Sequence, residues 1–137
     1  MQTAVIEVRT GDREAVHDLT REVSHWLQEV AEGRDGLLNV FVPHATAGLA
    51  ILELGSGSDS DLLAALRELL PADDRWAHAH GSRGHGRSHV MPALVPPHVT
   101  VPVVKGALAF GTWQSLALVD LNVDNHVREV RLSFLTD

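Results

Sequence analysis

The chain has 137 residues, 45% of them hydrophobic, which is enough for one compact domain but too few for two separate cores. Its formal net charge of −7, without a concentrated basic stretch, argues against nucleic-acid binding. No apolar run approaches the roughly 18 residues of a membrane-spanning helix. Cysteine is absent, which excludes disulfide frameworks, thiolate zinc sites and cysteine nucleophiles. Since no secretory signal is visible either, we expect a soluble cytoplasmic domain over residues 1–137.

The first half of the chain predicts strands and two amphipathic helices. Apolar and polar residues alternate over residues 2–9, which is typical of a strand. Apolar residues spaced three and four apart predict a helix over about 12–32. Two short runs rich in Leu, Val and Ile, residues 37–42 and 49–52, predict further strands, and a leucine-rich stretch predicts a second helix over about 59–70.

The second half begins with a long loop and continues in strands. Residues 72–89 show no periodicity, and an aperiodic stretch of this length in a small domain is usually functional or disordered. Alternation returns after residue 98 and predicts three or four strands up to residue 134. Together these elements predict an α+β domain.

Three segments concentrate side chains capable of chemistry. The first places His44 beside Thr46 at a strand end, where His44 is either functional or an ordinary loop histidine. The second is the long loop, with five histidines between residues 78 and 98; it is either a metal site or a solvated polar loop. The third is Gly111–Gln114, either a binding turn or a hairpin bulge, in which we expect Trp113 to be mostly buried.

Short motifs, kept in order over nearly the whole chain, resemble a known family. The string from His44 to Glu53 resembles its His-Thr-Thr/Ser-Ala-Gly/Ser segment that ends in Asn-Glu, and Gly111–Gln114 resembles its Gly-Thr-Trp-Gln signature. The other matching positions are Asp61 with Leu62 at the start of the second helix, the loop residues His78 and His89, Pro102, and Gly106. The chain is in this respect similar to the YjbQ-type proteins, also known as secondary thiamine-phosphate synthase enzymes.

The resemblance implies a β-sandwich-like core of mixed strands and a homotrimer with sites near the subunit boundaries. It also implies that His44, His78 and His89 converge on one divalent metal ion, zinc or magnesium. Glu53 or Asp61 would complete this site or act as acid and base, and His44 is a catalytic candidate as well. The candidate substrate-binding residues are Thr46, Gly111, Thr112, Gln114 and Arg128.

Three other histidines, His80, His85 and His98, have no counterpart in these motifs. We therefore expect them to be dispensable compared with His78 and His89.

The reaction implied by the resemblance joins a pyrimidine methyl diphosphate to a thiazole phosphate, giving thiamine phosphate and diphosphate. The sequence departs from the family where Leu52 replaces an Asn and Met91-Pro92-Ala93 replaces Lys-Ser-Ser, which removes polar groups that could contact an anionic substrate. The expected cationic contacts to this small phosphorylated substrate are Arg128 and Arg87. The alternative is a non-catalytic metal- or ligand-binding trimer.

Overall fold

Eight strands form two antiparallel sheets in the computed structural model, which describes all residues from Met1 to Asp137. The five-stranded sheet has the order β1-β8-β3-β5-β6 and the three-stranded sheet the order β2-β7-β4. The strands are β1 (Gln2–Arg9), β2 (Ala15–Asp18), β3 (Gly36–Phe41), β4 (Ala47–Leu52), β5 (His98–Val104), β6 (Ala107–Leu108), β7 (Ser115–Asp120) and β8 (Val127–Leu135). The helices are α1 (Thr20–Ala31), α2 (Ser58–Leu69) and two short 3₁₀ helices, His85–His89 and Met91–Ala93.

The predicted α+β class is confirmed, and so is the second helix. The first helix begins at Thr20, however, and not near residue 12. Residues 15–18 form β2 instead, because their backbone groups pair with the edge of β7, from Ala15 opposite Asp120 to Asp18 opposite Ala117. This long-range pairing could not be read from the spacing of the apolar residues, which fits a helix equally well.

The main hydrophobic core lies between the two sheets and α1. It contains 16 buried residues, among them Leu38 and Val40 from the five-stranded sheet and Leu116 and Leu118 from the three-stranded sheet. Contacts between the inner faces of two sheets are the packing of a β-sandwich. A smaller cluster, which includes Met91, joins α2 to the end of the three-stranded sheet and the chain that follows it.

The histidine-rich segment is held to this framework by a buried arginine. The side chain of Arg87 is only 4% exposed; it pairs with Glu14 and donates a hydrogen bond of 2.9 Å to the carbonyl of Leu70. The backbone around it is tightly packed, since a Cβ on Gly86 would lie 2.3 Å from the carbonyl oxygen of His78. The expectation that Arg87 contacts substrate is therefore wrong, because its guanidinium is committed to Glu14 and Leu70.

None of the helices has the length and the apolar character needed to cross a membrane.

Candidate functional site

Four histidine rings of the long loop meet in one cluster. His85 and His89 lie at opposite ends of one 3₁₀ helix, and His78 and His80 belong to the irregular chain before it. One ring nitrogen from each of the four can be chosen so that all lie within 4.8 Å of one another. The ring centroids of His78 and His89 are 4.0 Å apart, and those of His78 and His80 are 4.1 Å apart. We call these four residues the histidine cluster.

Both ring nitrogens of His85 have a partner. Its Nδ1 lies 3.1 Å from Oδ2 of Asp124, and its Nε2 lies 2.9 Å from Nε2 of His89. The same Asp124 oxygen accepts hydrogen bonds of 3.0 Å from the backbone N–H and the hydroxyl of Ser82. The backbone hydrogen bond from Ser82 is the main cause that lowers the pKa of Asp124, so this group is a carboxylate at neutral pH.

Two rings of the cluster, His78 and His89, favour the neutral form. Loss of hydration is the main cause that lowers the pKa of His78 and of His89, and repulsion from the neighbouring rings lowers both further. Neutral rings carry the lone pairs that a metal ion requires.

The histidine cluster borders an open cleft of about 400 Å³. One wall of this cleft carries His80, His85 and His89. The remaining lining residues are mainly polar: His44, Ala45, Thr46, Gly81, Asn122, Asp124, Asn125 and Arg128. A pocket lined by imidazole, amide, hydroxyl and guanidinium groups suits a small polar ligand.

Arg128, which lines the cleft, belongs to a buried ion pair. The Nε of Arg128 lies 2.5 Å from Oδ2 of Asp120, and the two side chains are 1% and 0% exposed. Burial raises the pKa of Asp120, and the hydrogen bond from Asn122 and the nearby guanidinium of Arg128 oppose that shift. Because Arg128 already has a carboxylate partner, it supplies little net positive charge to an anionic ligand.

His44 lines the cleft but lies outside the histidine cluster. Its Nε2 accepts a hydrogen bond of 3.0 Å from the backbone N–H of Glu129. The neutral ring therefore carries its proton on Nδ1. Partial burial lowers the pKa of His44, as does the positive charge of Arg128. His44 is thus a neutral hydrogen-bond donor beside the cluster.

The donor set of the cluster fits zinc and not magnesium. Imidazole nitrogens suit zinc and related transition metals, whereas magnesium requires oxygen ligands. Two nitrogens bound tetrahedrally at 2.0–2.1 Å lie about 3.3 Å apart. The two Nε2 atoms of His85 and His89, at 2.9 Å, would need to separate only slightly to reach that geometry.

A family model described as UPF0047 protein YjbQ-like matches residues 4–137. The chain belongs to this family. The UPF0047 protein Rv2556c of Mycobacterium tuberculosis is 57% identical over 135 residues, which cover 98% of each chain. The crystal structure of hypothetical protein APE1520 from Aeropyrum pernix K1 is 33% identical, covers 100% of both chains and superposes with a TM-score of 0.89.

The resemblance found in the sequence is thereby confirmed. A YbjQ-like protein of unknown function from Sulfolobus solfataricus, SSO2532, is 24% identical, with a TM-score of 0.91 over 99% of this chain and 97% of that one. At this identity the likeness concerns the fold alone.

The two longest motif segments of this UPF0047 chain, His44–Glu53 and Gly111–Gln114, border the three-stranded sheet at its two ends. Thr46 precedes β4 at the end where Ala47 pairs with Asp120, beside the cleft. Glu53 follows β4 at the other end, where Leu52 pairs with Ser115, the residue after Gly111–Gln114. Six residues of strand separate the two ends by about 17 Å. We call them the cleft end and the turn end.

Neither Glu53 nor Asp61 lines the cleft of its own chain. Glu53 is exposed and accepts a hydrogen bond of 3.0 Å from the hydroxyl of Ser56. Asp61 is exposed in the first turn of α2. Within one chain the structure therefore brings His78 and His89 together, places His44, Thr46 and Arg128 in the adjoining cleft, and leaves the two acidic residues outside it.

The prediction that Trp113 is mostly buried is wrong, since Trp113 is 72% exposed. The turn is closed by its own hydrogen bonds and needs no aromatic anchor. The backbone N–H of Gly111 donates to the side-chain oxygen of Gln114 at 2.8 Å, and the N–H of Gln114 donates to the Gly111 carbonyl at 3.1 Å. The indole is left facing solvent.

The sequence alone gives too little weight to several residues at the cleft. His80 and His85, expected to be dispensable, belong to the histidine cluster, whereas His98 lies in β5 outside it. The His-x-His spacing of His78 and His80 was a usable signal for one of them. Asp124, for which the sequence predicts no role, is the carboxylate partner of His85. That contact spans distant parts of the chain, and no local pattern predicts it.

Proposed function

We propose that this protein is a metal-dependent enzyme acting on a small phosphorylated substrate in the cleft. The observation that carries the proposal is that the histidine cluster adjoins the cleft. Three of its four rings, those of His80, His85 and His89, also line the cleft. A metal bound there would lie beside a space large enough for a small ligand.

Two features of the cluster support the metal part of the proposal. Its candidate ligand atoms lie within 4.8 Å of one another, and one of its rings already has the carboxylate partner that metal-ligating histidines usually have. A divalent cation held there would offset negative charge on a phosphate or diphosphate group. This charge is needed because the buried guanidinium of Arg128 is balanced by Asp120.

Residues across the cleft would bind and orient the substrate. His44, with Nε2 occupied by the Glu129 backbone, offers Nδ1–H to a substrate oxygen. Thr46 and Asn122 are joined by a hydrogen bond of 3.3 Å and present a hydroxyl and an amide on the same wall. Such fixed donors stabilise charge that develops on oxygen without having to reorganise.

The specific reaction that we propose is thiamine phosphate synthesis, on the basis of the family resemblance. The thiazole nitrogen forms a bond to the methylene carbon of the pyrimidine as the bond from that carbon to the diphosphate oxygen breaks. The electron pair leaves with the diphosphate. The chain would contribute by holding the two rings in line and by donating hydrogen bonds to the departing oxygens.

We also propose a homotrimer in which the turn end of one copy lies near the cleft end of another. The separation of Glu53 and Gly111–Gln114 from the cleft of their own chain supports this arrangement, as does the exposed indole of Trp113. Light scattering at micromolar concentration tests it: a trimer has about three times the mass of the 14.9 kDa chain, and a monomer would refute it.

Turnover by zinc-loaded protein tests the enzymatic proposal. The protein is incubated with pyrimidine methyl diphosphate and thiazole phosphate, and thiamine phosphate and diphosphate are quantified by mass spectrometry. We expect equimolar products, and their loss in H85A and after chelation. The matched control is H25N, because His25 is an exposed histidine on α1 whose contact is Glu29. Absence of product from protein with bound zinc would refute the synthase reaction.

One observation favours a second function, the non-catalytic metal-binding trimer. Four histidines can occupy all four positions of a tetrahedral zinc ion, whereas catalytic zinc sites keep one position open. If all four rings bind at once and no substrate is turned over, this second function is the correct one. If one ring remains free and turnover is present, the enzymatic proposal holds.

A further inference from the structure

The contacts of Asp124 carry an inference that rests on the proposed metal site and deepens it. We propose that Asp124 is a positioning residue, whose carboxylate fixes His85 as the Nδ1–H tautomer and so directs the lone pair of Nε2 towards the metal ion. The two ring nitrogens point away from the ring in different directions. An oxygen that accepts from Nδ1 therefore leaves Nε2 free.

The directions of the hydrogen bonds at Asp124 fix the tautomer of His85. Oδ2 of Asp124 accepts from the backbone N–H of Ser82, so it is an unprotonated acceptor, and the same oxygen lies 3.1 Å from Nδ1 of His85. The ring must then carry its proton on Nδ1. In the neutral ring, the form that can bind a metal, Nε2 of His85 is then the acceptor in its 2.9 Å contact with His89, whose Nε2–H is the donor while no metal is bound.

Asp124 is anchored to the end of β7. Its backbone N–H donates to Oδ1 of Asn122 at 2.8 Å, and the N–H of Asn122 donates to Oδ1 of Asp120 at 2.8 Å. Asp120 is fully buried against Arg128. This chain of short hydrogen bonds joins the carboxylate to a rigid part of the fold, which is what a group that orients another side chain requires.

Gly81 packs so closely against the Asp124–His85 pair that it leaves no space for a side chain. A Cβ at this position would lie 2.8 Å from Oδ2 of Asp124 and 2.9 Å from Cγ of His85. The residue also has φ +81°, which disfavours other residues. A side chain at position 81 would therefore separate the carboxylate from the ring. The close approach of this loop to the Asp124–His85 pair keeps the contact intact.

The tautomer can be read in the metal-free protein by long-range ¹⁵N–¹H NMR of the histidine rings. In the wild type we expect the proton of His85 on Nδ1. In D124A we expect this preference for the Nδ1–H tautomer to be lost. A wild-type His85 that carries its proton on Nε2 would overturn the inference, whatever the protein binds.

Calorimetric titration with zinc alone gives the second readout. We expect D124A to bind zinc about 10–100-fold more weakly than the wild type, the usual effect of removing such a partner, and D124N to lie between the two because its amide oxygen can still accept from Nδ1. S82A is the matched control: it removes one donor to the same carboxylate but leaves the contact with His85, and we expect its affinity to stay within about twofold of the wild type.

The outcomes separate the two proposals. A wild type that binds no zinc overturns the metal site of the proposed function. A wild type that binds zinc with the same affinity as D124A overturns the role of Asp124 alone. If D124A does not fold, as judged by the dispersion of its NMR spectrum, the comparison of D124N with S82A decides: equal affinities of these two variants contradict the inference.

Discussion

The two ends of the three-stranded sheet differ in what they offer to chemistry. At the cleft end, Asp120 is buried against Arg128, and the histidine cluster borders the same cleft. At the turn end, Glu53 and Trp113 are exposed, and the turn is held by a hydrogen bond between Gly111 and Gln114. Both ends carry motif residues, yet only the cleft end has converging polar groups. Membership of a sequence motif therefore does not show which residues act together.

The largest expected effect at the cleft end is the loss of a cluster histidine. H89A should weaken zinc binding by more than about 100-fold. Removal of only the hydrogen-bond partner of a metal-binding histidine already lowers metal affinity by about 10–100-fold, and loss of the histidine itself should cost more. The corresponding change at the turn end, W113A, should leave zinc affinity in the isolated chain unchanged, because Trp113 contributes no ligand atom.

Calorimetric zinc titration of both variants measures this difference. Equal losses in H89A and W113A would contradict the assignment of metal chemistry to one end.

The next effect concerns stability at the cleft end. D120A leaves the buried guanidinium of Arg128 without its carboxylate and should lower the free energy of unfolding by about 3–5 kcal/mol. Urea denaturation followed by circular dichroism measures it. Q114A at the turn end removes one exposed hydrogen bond and should cost no more than about 1 kcal/mol. A D120A variant as stable as Q114A would show that the ion pair does not support the cleft end.

Trp113 provides a sharper test of the turn end. In dilute, monomeric protein W113A should change the free energy of unfolding by no more than about 0.5 kcal/mol, since the side chain is exposed. The buried control F134A should cost about 3–5 kcal/mol. Denaturation at several protein concentrations is informative here. A W113A effect that grows with concentration would mean that another copy covers the indole, as the trimer proposal requires.

The smallest expected effect is a pH dependence confined to the cleft end. The pKa values of His78, His89 and His44 are lowered in the folded protein, so the unfolded chain binds more protons between those values and about 6.5. The metal-free protein should therefore lose stability as the pH falls below about 6.5 and show no contribution from these groups above it.

Urea denaturation between pH 5 and pH 8 measures this slope. It should be shallower in H78N, because this variant lacks one of the three rings whose pKa is lowered. A slope unaffected by H78N would contradict the lowered pKa of this ring.

The sequence predicted the elements that depend on local pattern and missed those that depend on distant pairing. The leucines of α2 and the alternation in β8 were sufficient to identify those elements. β2 was misread as helix because only its pairing with β7 distinguishes it. At the site, the family motif named His44, His78 and His89, but Asp124 reaches His85 across 39 residues of sequence, and folding alone brings them together.

X-ray absorption spectroscopy of the zinc-loaded protein tests the central claim most directly. Zinc bound by the histidine cluster should show a shell of imidazole nitrogens at about 2.0–2.1 Å, with one zinc per chain. The intensity of this shell should decrease in H89A and stay unchanged in H25N. A first shell made only of oxygens, or protein that retains no zinc, would contradict the account.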